Sequence, residues 1–123
     1  MTIEKVILAA IRTRQFMRIN YLDQDGQICT DIIEGYTLGF NWSNQQILKG
    51  FHWASTPGPN FSTGERIYTV ERILSVEAME QRFDHPHDEN AAKDSREFRE
   101  IIGDSYFPAY LHSNQRRGED CTC

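Results

Sequence analysis

The stretch GERIYTVERILSV, Gly64–Val76, decides how this chain is read. Tyr68 and Val70 recur at the two-residue period of a half-buried strand. The apolar face then moves to Leu74, Val76 and Ala78, which puts a bend near Glu71 and Arg72. Arg66 and Arg72 are the unusual members. Glu65 and Glu71 each precede an arginine by one residue, so on extended backbone they point to the opposite face and need not neutralise it. Two readings of the arginines stand side by side. They hold phosphate groups through forked hydrogen bonds, or Arg66 pairs with a cross-strand acid while Arg72 lies along apolar surface.

Working outward, Ile3, Val6, Ile7, Ala10 and Ile11 fall at helical spacing and predict a helix over residues 3–14, capped by Thr2. In FMRINYL the period changes to two, with Met17, Ile19 and Tyr21 on the core face. DQDG at 23–26 is a turn in which Gly26 can take positive φ, and QICTDII is the returning strand of a hairpin. YTLGF and QILKGFHW read as further strands separated by NWSNQ, with Gly39 marking a bulge or a close approach. ASTPGPNFSTGE is a loop. DHPHDEN is a polar break, and AKDSREFREIIG is expected to be helical, with Phe98, Ile101 and Ile102 as its stripe. The remainder, from Asp104, is read as a polar, flexible tail that contains YFPAY at 106–110. Short antiparallel strands in this number predict a small closed barrel, which removes sheet edges.

With 123 residues there is room for one domain, divided into a helix-and-barrel unit over 1–83 and a linker, short helix and tail over 84–123. The net charge is −5. Most of it sits in residues 84–123, where nine acids face five basic residues. That balance excludes a protein that binds nucleic acid by bulk positive charge, and leaves a local basic patch on the first half. No apolar run reaches the roughly 20 residues of a membrane helix. MTIEKVILAAIRTRQF lacks the pattern of a secretory signal, and three cysteines are an odd count. The expectation is a cytoplasmic protein with reduced thiols and no membrane partner.

RIYTVERI resembles the closing signature of WYL domains, Arg-x-Phe-x-hydrophobic-x-Arg-Ile. Arg66, Tyr68, Val70, Arg72 and Ile73 fill it, with Tyr for Phe. MRINY resembles the family's first strand, DQDG its hairpin turn, and IIEGYTLGF its Val-Glu-Pro-Tyr-x-Leu-Gly segment, with Gly35 where proline is usual. The family's naming tripeptide falls at Gln46-Ile47-Leu48, of which Leu48 alone agrees. The resemblance spans about residues 3–83. It implies a five-stranded, Sm-like or SH3-type barrel with an N-terminal helix. It also implies a regulatory, ligand-sensing role in transcriptional control or phage defence, with a nucleotide or single-stranded nucleic acid as the ligand. By position, Tyr21, Arg66 and Arg72 carry over to the ligand face, and Tyr68 stands beside them as a stacking or core residue.

The other candidates have weaker chemistry. His85 and His87 with Asp84 and Asp88 have metal-ligand types, but they flank a proline in a polar segment and no third anchored ligand is evident. Cys121 and Cys123 form a terminal pair whose ordering opposes binding. Trp42 and Trp53 flank loops, either as contact residues or as plugs of the barrel mouth. No Gly-x-Ser-x-Gly, phosphate-loop or His-Glu-x-x-His motif occurs. The expectation is therefore a non-enzyme without cofactor or metal. The alternative to a ligand sensor is an assembly module, self-associating or bound to a regulatory protein, that uses the barrel and YFPAY.

Overall fold

Thr2 accepts a hydrogen bond from the Lys5 amide at 3.3 Å and starts helix α1, Ile3–Thr13. Arg14 ends it in the left-handed conformation, φ 56°, returning its amide to Ala10 and Ile11. The computed structural model describes residues 2–56 and 64–104. After the cap come strands β1 (Gln15–Leu22), β2 (Ile28–Asn41), β3 (Gln46–Thr56) and β4 (Gly64–Thr69). A one-turn 3-10 helix, Val70–Arg72, supplies the bend expected there and leads into β5, Ile73–Arg82. A short helix α2, Glu89–Lys93, and strand β6, Phe98–Asp104, complete the described chain.

The six strands form one antiparallel sheet in the order β4-β3-β2-β1-β5, with β6 on β2. β2 is the spine. β3 covers one of its edges, while β1 takes Ile28–Glu34 and β6 takes Thr37–Asn41 on the other. The closed barrel is corrected: no ladder joins β4 to β5, so the sheet is open. The two edge strands are linked by the 3-10 turn alone, and their apolar side chains Tyr68 and Ile73 meet α1's Ile7, Ala10 and Ile11 in a common core. Burial, not hydrogen bonding, spans that gap.

The helix expected within residues 92–103 is corrected too. Phe98–Asp104 is a strand, and α2 lies upstream with five residues. Two or three apolar residues at i, i+3 and i+4 do not outweigh an unpaired edge that needs partners. β1 leaves β2 after Glu34, and the backbone groups of Thr37–Asn41 are satisfied by β6. Phe98–Asp104 thus belongs to the sheet. Ser105 onward, including YFPAY, Cys121 and Cys123, lies outside the described residues.

Alternation along the strands gives the sheet two cores. Met17, Ile19, Ile33, Leu38 and Leu48 pack under α1. On the other face, Tyr36 and Phe51 pack with Phe83, Ala91 and Ala92, and Phe16 joins them. A bulge between Gly35 and Thr37 makes Tyr36 the extra residue of β2, so the core parity passes from Ile33 to Leu38. Gly39 is the close approach foreseen for it. A Cβ there would overlap the Glu100 carbonyl oxygen and crowd the Phe98 ring. Gly39→Ala is therefore expected to lift β6 from β2 and cost about 1–3 kcal/mol, read as a lower urea midpoint. An unchanged midpoint would show that β6 contributes no stability.

Candidate functional site

Four strand or turn residues were singled out on sequence grounds: Tyr21, Arg66, Tyr68 and Arg72. Tyr21 is the penultimate residue of β1, Arg66 and Tyr68 lie on β4, and Arg72 closes the 3-10 turn. Tyr21 and Tyr68 meet edge to face, ring centroids 5.3 Å apart. Together with Arg72 they line a pocket of about 400 Å³. Its other walls are Leu22–Asp25 of the β1–β2 turn and Ile67 and Thr69 of β4. The turn is stiff. Gly26 takes φ 81°, and the Asp23 carboxylate accepts the amides of Asp25 and Gln27, each at 2.9 Å. These amide bonds hold the Asp23 carboxyl below its usual range.

The two arginines differ. Arg72 Nε donates to the Leu22 carbonyl at 3.0 Å, and Nη2 donates to the Asp23 carbonyl. Carbonyls anchor a guanidinium without discharging it. Arg66, a quarter exposed, faces Asp31, with Nη1 3.4 Å from Oδ2. Arg66 thus pairs with an acid two strands away, and Arg72 is held by backbone carbonyls.

Asp31 is the residue that sequence reasoning missed. It is fully buried on β2. Its Oδ2 accepts the Tyr68 hydroxyl at 2.7 Å, and Tyr21 is hydrogen-bonded to the same carboxylate. Buried His52 lies 3.6 Å from Oδ1. The signal was present in CTDII: Asp31 has the core parity of Ile33, and an acid at such a position needs partners. Burial first, and then the Asp31 charge, push the Tyr21 phenol up to about 12. Burial and the Asp31 hydrogen bond also push Tyr68 up, and burial pushes up Tyr36 on the opposite face. Each folded-state value lies above the ordinary 10.0, so the neutral phenols stabilise the fold fully below pH 10. Tyr21's share is lost as pH rises through about 12, and the shares of Tyr36 and Tyr68 at higher pH still. In an absorbance titration three of the five tyrosines should ionise late, together with alkaline unfolding. Ionisation of all five near pH 10 in folded protein would contradict this packing.

A second buried acid, Glu34, organises the opposite face. It accepts from the Tyr36 hydroxyl and Trp53 Nε1, both at 2.8 Å, and from the His87 amide at 2.9 Å. The His87 ring packs 4.5 Å from Phe51 and 4.9 Å from Trp53. Asp88 caps α2 and donates its amide to Tyr36. DHPHD is thus a strap across the sheet. Beside it an apolar groove of about 310 Å³ runs between Phe16, Ile32, Trp53, Met79 and Gln81. Trp42 is exposed and donates to the Arg96 carbonyl.

In the search of solved structures, proteasome accessory factor B/C of Arthrobacter aurescens superposes with a TM-score of 0.56 at 18% identity. Over the matched residues the two chains share a fold. The match covers 69% of this chain and 13% of that one, so the chain spans a small part of the protein it resembles. No family model and no curated protein matches the chain. Of the Gln46-Ile47-Leu48 tripeptide, Ile47 and Leu48 are buried on β3. Gly35, at the family's usual proline, lies against the Met17 side chain. No helix among the described residues is long and apolar enough to cross a membrane.

Proposed function

We propose that this chain is a ligand-sensing regulatory domain whose pocket at Tyr21, Tyr68 and Arg72 takes a nucleotide-like anion, without catalysis. The observation that carries the reading is convergence. Residues from two strands and the 3-10 turn, far apart in sequence, line one pocket, with an aromatic wall beside a guanidinium held by neutral carbonyls. The volume is at the lower end of the roughly 300–1,000 Å³ typical of small-molecule sites. Its rim also holds Asp23 and Asp25. Two carboxylates repel a polyanion and accept hydrogen bonds from the amines of a base, so a nucleotide fits better than a nucleic-acid strand. The structural likeness to a WYL-domain-containing regulator supports a regulatory setting.

The test is calorimetric titration with nucleotides and a short single-stranded oligonucleotide across salt. Affinity should fall as salt rises, because salt screens the contact of phosphate with guanidinium. Tyr21→Ala should weaken binding by about 1–3 kcal/mol, the range for a stacked base. Absence of binding at any salt, or unchanged binding by Tyr21→Ala, would remove the reading.

A second reading, an assembly module, draws on the apolar groove of Phe16, Ile32, Trp53 and Met79 on the opposite face. Light scattering on the full chain and on a chain ending before Ser105 tests it. A monomer in both cases counts against it.

A further inference from the structure

The carboxylate that holds Arg66 bears on which ligand the pocket admits. Among the residues lining the pocket, Arg72 is the one cation, and Asp23 and Asp25 stand with it. Arg66 lies behind the aromatic pair, drawn to the fully buried Asp31. The same carboxylate holds the Tyr68 hydroxyl at 2.7 Å and reaches Tyr21, so one acid sets both rings and the guanidinium. A buried carboxylate stripped of its cation is costly, so Arg66 is not available to turn outward to a ligand. Arg72 has five N–H donors on a rigid fork. Two of its nitrogens are spent on Leu22 and Asp23 carbonyls, which fix its direction and leave its charge in the pocket. One cation against two carboxylates suits one phosphate and opposes three.

Building on the nucleotide reading above, we propose that the pocket selects a ligand with a single phosphate beside one base, that Arg72 alone contacts the phosphate, and that Arg66 and Asp31 are positioning residues for the aromatic wall. A nucleoside monophosphate meets that description. A nucleoside triphosphate or a strand brings added negative charge against Asp23 and Asp25.

The experiment compares adenosine, adenosine monophosphate, adenosine triphosphate and a short single-stranded oligonucleotide on the full chain. The monophosphate should bind at least about 10-fold more tightly than adenosine, the worth of one charge-assisted contact, and more tightly than the triphosphate. Its affinity should fall modestly as salt rises, by screening of a single charge contact. Arg72→Gln should erase the preference over adenosine, and Arg72→Lys should restore part of it. Arg66→Gln should weaken binding while leaving the salt slope unchanged. In ligand-free protein, Arg66→Gln should also move the Tyr21 titration upward, because that guanidinium holds the phenol's value down. A triphosphate or oligonucleotide that binds 10-fold more tightly than the monophosphate would overturn this proposal and leave the nucleotide reading standing. So would a salt slope reduced equally by Arg66→Gln and Arg72→Gln. Binding of none of the compounds would overturn both.

Discussion

Replacing Asp31 by alanine is expected to lower the unfolding free energy by about 3–5 kcal/mol, the range for breaking a buried charged pair from one side. The Tyr68 hydroxyl loses its 2.7 Å acceptor, and Arg66 and His52 lose the anion they face. Each orphaned polar group carries its own desolvation cost. Against a total of about 5–15 kcal/mol for a domain, the loss is large. Asp31→Asn keeps an acceptor for the phenol and removes the charge, so it should cost less than alanine. Urea unfolding reads both, as a lower midpoint at constant slope. A cycle with Tyr68→Phe isolates the shared term, and the two losses should be less than additive. An Asp31→Ala loss below about 1 kcal/mol would mean that this network contributes little.

The second large effect is on the opposite face. Glu34→Ala removes one carboxylate that accepts from Tyr36, Trp53 and the His87 amide. A loss of about 1–3 kcal/mol is expected, since the buried Tyr36 hydroxyl is left unpaired and two part-buried donors lose their acceptor. It has a spectroscopic signature that the Asp31 change lacks. Trp53, released from Glu34 and from its ring contacts with Phe51 and His87, should shift its emission to longer wavelength. The strap from Phe83 to Lys93 should then exchange its amide hydrogens faster. Unchanged protection of the His87 amide in Glu34→Ala would show that the strap is held by its apolar residues alone.

The sheet strands up to Arg82 were legible because the two-residue period, the turn residues and the helical stripe of α1 all agree locally. The bend at Glu71 and Arg72 was legible because the apolar face changes sides there. β6 was not. Phe98, Ile101 and Ile102 are too few to set a period, and what makes them a strand is the edge of β2 beyond Glu34, a feature of the assembled sheet. The open barrel has the same origin: closure depends on the approach of β4 and β5, which no local pattern encodes. Of the residues the resemblance pointed to, Tyr21 and Arg72 line one pocket with Tyr68, which the strand period offered as a stacking or core residue, and Arg66 is not among its lining. Asp31, Glu34 and Lys49 were not singled out. Each is buried, and each is bound to groups distant in sequence: Lys49, for example, reaches Glu97 at 3.1 Å and Glu65 at 3.4 Å. A buried charge is seen in sequence as a parity violation, but its partners are known once the strands are paired.

The central claim, that the pocket at the β1–β2 turn and the 3-10 bend is the ligand site, is tested most directly by mapping amide chemical shifts during titration with adenosine monophosphate. The account predicts shifts concentrated at Tyr21–Asp25 and Ile67–Arg72, with the amides of Trp53 and Met79 on the opposite face unmoved. Saturable shifts centred on Trp53 and Met79, with Tyr21–Asp25 unmoved, would contradict it.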